Sequence, residues 1–146
     1  MKKHEIQEIV KAFGHAVDFC RECGFDCVEI HAGHGYLISQ FLSPYTNRRR
    51  DEYGGSLDNR MRFMREVLDE VMAHAGDDMA VVVKTNMYDG FKSGLQVEEC
   101  IKVAQEIEKH GVHALVLTAG FVSKGGYELV NSTVCPVGES IAYQYI

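Results

Sequence analysis

The sequence has no tryptophan and only two prolines in 146 residues. It also lacks any uninterrupted apolar stretch near the ~18 residues that a membrane helix needs. Collagen-like, proline-rich and membrane-spanning architectures are therefore not expected. Basic residues are outnumbered, 15 Lys and Arg against 21 Asp and Glu, for a net charge of −6. That balance argues against broad electrostatic binding to nucleic acid or an anionic membrane. Met1-Lys2-Lys3 runs into polar His4-Glu5 with no apolar signal core, so a cytoplasmic chain is expected. Five cysteines are an odd count, and reduced thiols are the expectation without a secretion signal.

What is present is the balance of a globular domain, with 46% hydrophobic and 25% charged residues. Ile6, Ile9, Val10, Phe13, Val17 and Cys20 fall three and four apart, predicting a helix from about Ile6 to Cys23. Gly24 follows as a stop, then the β-rich run Phe25 to His31. The unit recurs twice. A helix over Leu57–Ala75 precedes Gly76 and the strand Ala80–Lys84. A helix over Val97–His110, with Val97, Ile101, Ala104 and Ile107 as its stripe, precedes Gly111 and the strand Ala114–Thr118. Alternating helices and strands predict a parallel sheet with right-handed crossovers. Beyond Gly125, a turn at Cys135-Pro136-Val137-Gly138 leads into the start of a helical pattern. A complete (β/α)8 barrel takes roughly 250 residues, so anything of that plan in this chain is partial.

In parallel α/β proteins functional groups gather where strands end. The three predicted strands end in His31-Ala32-Gly33-His34-Gly35-Tyr36, Lys84-Thr85-Asn86 and Thr118-Ala119-Gly120. Two imidazoles, a phenol and an ammonium group would face one mouth. Two glycines leave room for a planar ligand. His-x-x-His also admits zinc, but Asp26 or Glu29 would have to complete the ligand set, and no metal is expected. Cys20 and Cys23 have C-x-x-C spacing, yet Cys20 continues an apolar helix stripe and reads as a small buried hydrophobe. Arg48-Arg49-Arg50 is followed at once by Asp51-Glu52 and reads as a salt-bridged loop. Asp58 and Asn59 suit helix capping, and pairing of Arg60 or Arg62 with acidic neighbours would be structural.

Val28-Glu29-Ile30-His31-Ala32-Gly33-His34-Gly35-Tyr36-Leu37, with Gln40 to Arg49 and Asp51 to Arg60, closely resembles the old yellow enzyme family of flavin oxidoreductases. The branch it is most similar to is the bacterial NADH:flavin oxidoreductase and 2,4-dienoyl-CoA reductase type. Weaker similarity takes in Lys84, Asp89-Gly90 and Thr118 to Ser123. The resemblance implies an FMN-binding TIM barrel, of which residues 1–146 would form a single incomplete segment holding the fourth to sixth strands. It places His31 and His34 at the substrate carbonyl oxygen, Tyr36 as proton donor and Lys84 beside the flavin N1/O2 edge. The family more often has Arg at that last position. Reduced FMN, formed from NAD(P)H, would pass hydride to the β-carbon of an α,β-unsaturated carbonyl compound.

The same resemblance implies what is not matched. No segment resembles the family's first three strands, its last two strands with their phosphate grip, or the Fe–S cysteine cluster of the dienoyl-CoA reductase type. The expectation is an internal piece of an oxidoreductase, inactive by itself, that self-associates or docks onto complementing barrel segments. The alternative is a non-catalytic binding or assembly module without bound flavin.

Overall fold

Three helices stop where the sequence places glycine after an apolar stripe: Gly24, Gly76 and Gly111 have φ of +81°, +62° and +78°. Only glycine takes that left-handed region without steric cost, so each helix ends and the chain turns into a strand. The computed structural model describes residues 1–124; the turn and helical start expected beyond Gly125 lie outside them. The order is α1 (Lys3–Glu22), β1 (Cys27–Ala32), α2 (Leu37–Leu42), α3 (Leu57–Ala75), β2 (Ala80–Asn86), α4 (Val97–Lys109) and β3 (Ala114–Thr118). A 3₁₀ turn over Val122–Lys124 follows.

The strands form a parallel sheet in the order β1-β2-β3. Register sets what each face carries: His31 lies opposite Lys84, Lys84 opposite Val116, and Asn86 opposite Thr118. Those residues, with Glu29, share one face. Ile30, Ala32, Val81, Val83 and Thr85 share the other, and all are buried. That second face packs beneath the helices, with Phe63, Met64, Val67, Leu68 and Val71 of α3 at its centre.

Helix α1 lies along α3, and Gly14 sets the distance. A Cβ there would come within 2.7 Å of the His74 ring. His74 in turn bridges the helices, its Nδ1 2.9 Å from the Asp18 carboxylate and its Nε2 3.4 Å from Glu70. The capping oxygen of α3 comes from Ser56, which accepts from the Asn59 backbone N–H at 3.2 Å, rather than from Asp58 or Asn59. Asp58 instead pairs with Arg65 at 2.6 Å. Arg49 forks onto Asp51 as expected for a salt-bridged loop. Buried Arg60 donates to the carbonyls of Leu42 and Gly55 and pairs with Glu99 at 2.6 Å. It thereby ties α2, the loop after it, and α4 to the start of α3.

Helix α4 keeps only part of the predicted stripe, Ile107, on its buried side. Cys100, Val103 and Ile107 are buried, whereas Ile101 is exposed and lines, with Val97 and Ala104, a groove of about 510 Å³ shared with Leu115 and Leu117 of β3. The periodicity is right and the facing is rotated, because an apolar helix with two apolar faces does not announce which one the sheet will take. Cys20 packs partly buried against the core, while Cys23 and Cys27 are exposed.

Leu68→Ala should cost about 2–5 kcal/mol, the range for emptying a fully buried aliphatic site. Phe19→Ala, at a side chain 66% exposed, should stay within about 0.5 kcal/mol. Urea unfolding of both variants checks the assignment of core and surface.

Candidate active site

The last residues of β1 and the turn after it are held by backbone constraint before any ligand is considered. His34 takes φ +59°, the one non-glycine residue with positive φ among those described, and Gly35 follows at +82°. Such a conformation costs a non-glycine residue about 1–3 kcal/mol and persists only where neighbours fix it. Those neighbours are visible. The His34 backbone N–H donates to Asn86 Oδ1 at 3.0 Å, and its carbonyl accepts from the Val122 N–H at 2.9 Å. Its ring Nε2 lies 2.5 Å from the Thr118 hydroxyl. Phe121 packs so tightly beneath Gly35 that no Cβ could be accommodated there.

Asn86 does more than receive that one bond. Its Nδ2 donates to Asp89 Oδ1 at 2.8 Å and to the Gly120 carbonyl at 3.0 Å. Asp89 is itself buried and accepts from the Leu95 N–H at 2.7 Å. One carboxamide therefore joins the ends of all three strands. The sequence marked the strand ends but assigned no role to Asn86, Thr118 or Asp89. Their parity was the usable signal, since Asn86 and Thr118 stand on the same sheet face as His31 and Lys84.

The expected site residues come together. The rings of His31 and His34 are 5.0 Å apart and nearly perpendicular, and the Tyr36 ring is 5.0 Å from His31. Tyr36 begins α2, where its N–H donates to the Gly33 carbonyl at 3.2 Å, and its ring is half exposed. Lys84 Nζ reaches Glu29 at 3.7 Å on the same open face. Burial, with help from the positive charge of Lys84, holds His31 below its usual pKa. His34 is pushed down to about 4, first by burial and then by His31 and Lys84. Both imidazoles are thus neutral near pH 7, and each offers one N–H donor. Among the described residues no group of three or more His, Cys, Asp or Glu is placed to hold a metal ion. What the arrangement can do is donate hydrogen bonds to an oxygen from two sides, with a phenol and an ammonium group alongside.

Comparison with known proteins finds relatives over most of the chain. The model of the NADH:flavin oxidoreductase / NADH oxidase family matches residues 1–123. The chain is 37% identical over 141 residues to NADPH dehydrogenase of Geobacillus sp. (strain WCH70), covering 97% of this chain and 41% of that protein. It is 41% identical over 120 residues to NADPH dehydrogenase of Bacillus subtilis (strain 168), covering 82% of this chain and 35% of the relative. Among solved structures, a 2-naphthoyl-CoA reductase complex matches with TM-score 0.79 and 37% identity, over 83% of this chain and 18% of that one. The old yellow enzyme homologue from Zymomonas mobilis matches with TM-score 0.75 and 28% identity, over 88% of this chain and 36% of the other. The chain thus spans well under half the length of the relatives it matches.

Two of the three perturbed histidines, His34 and His74, give stability opposite pH dependences. With His34 depressed in the folded state, the unfolded chain binds more protons between pH 6.5 and about 4, so its contribution falls as pH drops through that window. The His74 pKa is raised, first by its hydrogen bond to Asp18. Its contribution is therefore full below the unfolded value and is lost as pH rises through the folded one. Denaturation midpoints measured from pH 4 to 8 should show a shallower acid-side decline in His34→Gln. In His74→Gln the loss on the neutral side should disappear.

Proposed function

The chain belongs to the NADH:flavin oxidoreductase / NADH oxidase family, and from that membership we propose that it forms the substrate-side part of an FMN-dependent ene-reductase. That family and the relatives above are oxidoreductases. The observation that carries the proposal is the grouping of His31, His34 and Tyr36 beside Lys84 on the one sheet face that the helices leave open. In this reading β1, β2 and β3 are the fourth, fifth and sixth strands of the barrel.

The donor set fits one edge of a flavin. Lys84 places a single ammonium on the open face, opposed only loosely by Glu29 at 3.7 Å, and would hold the N1/O2 edge and favour its anionic reduced form. A lysine keeps the cation but not the planar fork of the arginine more frequent there. The chemistry FMN would supply when bound is hydride, drawn from NAD(P)H, for the β-carbon of an α,β-unsaturated carbonyl compound. His31 and His34 donate to the carbonyl oxygen, where negative charge accumulates, an interaction worth about 2.7–4 kcal/mol per donor in comparable sites. Tyr36 holds the proton at its Oη and gives it to the α-carbon from the opposite face. The exposure of Tyr36 leaves that hydroxyl accessible from the mouth.

In this chain joined to the remaining barrel segments of a relative, Tyr36→Phe should lower enone reduction by at least about 100-fold. The rate of flavin reduction by NAD(P)H should stay unchanged. Equal enone rates would remove Tyr36 from the chemistry.

A second reading rests on a different observation. Leu115 and Leu117 of β3 are exposed above an apolar groove, and within the described sheet β1 and β3 each pair on one side only. Unpaired edges and uncovered apolar faces template association. The chain alone would then be an assembly module that self-associates or docks onto complementing barrel segments, with weak FMN binding and no turnover. Light scattering across a concentration series should show association, and FMN titration should show no tight stoichiometric complex. A monodisperse monomer would overturn the first expectation and tight FMN binding the second.

A further inference from the structure

A neutral imidazole has one N–H, so a pair of histidines acts as a double donor only if each carries its proton on the correct nitrogen. His31 is settled by its own backbone. The Gly33 N–H lies 3.3 Å from His31 Nδ1, and a backbone N–H can only donate. Neutral His31 therefore carries its proton on Nε2.

For His34 the partner is a hydroxyl, which can donate or accept. Its burial decides between these. Thr118 is fully buried, and among the described residues its hydroxyl has one hydrogen-bond partner, His34 Nε2 at 2.5 Å. If the hydroxyl accepted a proton from His34, its own hydrogen would be buried without an acceptor, at a cost that desolvated donors always carry. If it donates, its hydrogen is used, and the ring hydrogen sits on Nδ1, which is not among the buried side-chain atoms left without a partner. We propose that Thr118 is a positioning residue that fixes His34 as the Nδ1–H tautomer, so that the two histidines donate through opposite ring nitrogens. The inference rests on the carbonyl-binding role given to the histidines above.

Asn86 supplies the second half of the device. Its Nδ2 is committed to Asp89 and the Gly120 carbonyl, which leaves Oδ1 as the only atom able to receive the His34 N–H. The carboxamide holds the backbone at φ +59°, and the hydroxyl then selects the proton on a ring whose place is already set. The low pKa of His34 keeps the ring neutral, the condition under which tautomer choice has meaning.

The test uses the ¹⁵N-labelled chain at pH 7 and long-range ¹H–¹⁵N spectra of the histidine rings, with His34 assigned by the cross-peaks lost in His34→Gln. The expected pattern is a proton-bearing Nδ1 and a bare Nε2 for His34, and the reverse for His31. Thr118→Val, which keeps the shape and removes the hydroxyl, should lose the Nδ1–H signature, and Thr118→Ser should restore it. A wild-type His34 protonated on Nε2 would overturn the proposal without any variant, so an unfolded Thr118→Val does not rescue it. An unchanged pattern in a folded Thr118→Val would overturn it as well. Neither flavin nor substrate enters the measurement. Failure of the enone-reductase reading would therefore show in turnover and leave these spectra unaltered.

Discussion

One carboxamide holds the functional end of the sheet together. Asn86 terminates β2, the strand bonded on both sides, and reaches the turn after β1, the loop after β2 and the segment after β3. Remove those three bonds and the left-handed backbone at His34 keeps only its carbonyl bond from Val122 and its ring bond to Thr118 to oppose the strain. The histidine pair, the start of α2 at Tyr36 and the packing of Phe121 beneath Gly35 all follow from that turn. The site is thus a property of three strand ends acting jointly, and no single loop defines it.

The same sheet divides its tasks between faces. Helices α1 to α4 contribute a core that leaves Val81 and Val83 with no exposure. Across the sheet, Glu29, His31 and Lys84 stand in partial contact with solvent, where charge is affordable. Stability and chemistry are therefore separable to a useful degree. Substitutions on the helix face act through cavities, whereas those on the open face act through hydrogen bonds and charge. Only at the strand ends do the two overlap, since Asn86, Thr118 and Asp89 are polar and buried at once.

Much of this was legible in the sequence. Helix α3 and strand β3 occur with the boundaries their periodicity predicts, and the glycine stops hold at all three helices. His31, His34, Tyr36 and Lys84 meet at one mouth because strand ends are where a parallel sheet exposes side chains. Helix α2 was not visible as a helix, since six residues between a glycine turn and Pro44 carry too little periodicity to register. The facing of α4 is legible only in part for the opposite reason: it has apolar residues on two sides, and packing buries Ile107 of the expected stripe together with Cys100 and Val103 while Ile101 stays exposed. Asn86 and Thr118 were passed over because an amide and a hydroxyl look unremarkable in one dimension. Their meaning depends on His34, whose backbone and ring are brought from more than fifty residues away in the chain.

The alternation along β2 carries a further consequence. Val81, Val83 and Thr85 point to the core while Lys84 and Asn86 point to the mouth. Strand geometry gives side chains a period of two, so sliding β2 by a single residue would bury the lysine and present valine to a ligand. Any such misalignment would also strand an ammonium in the core, which hydrophobic packing forbids far more strongly than any ligand could demand. The alignment of the functional groups is therefore enforced by residues with no chemistry of their own. Side chains on the open face can vary widely and still face the same way, because the valines behind them keep the count.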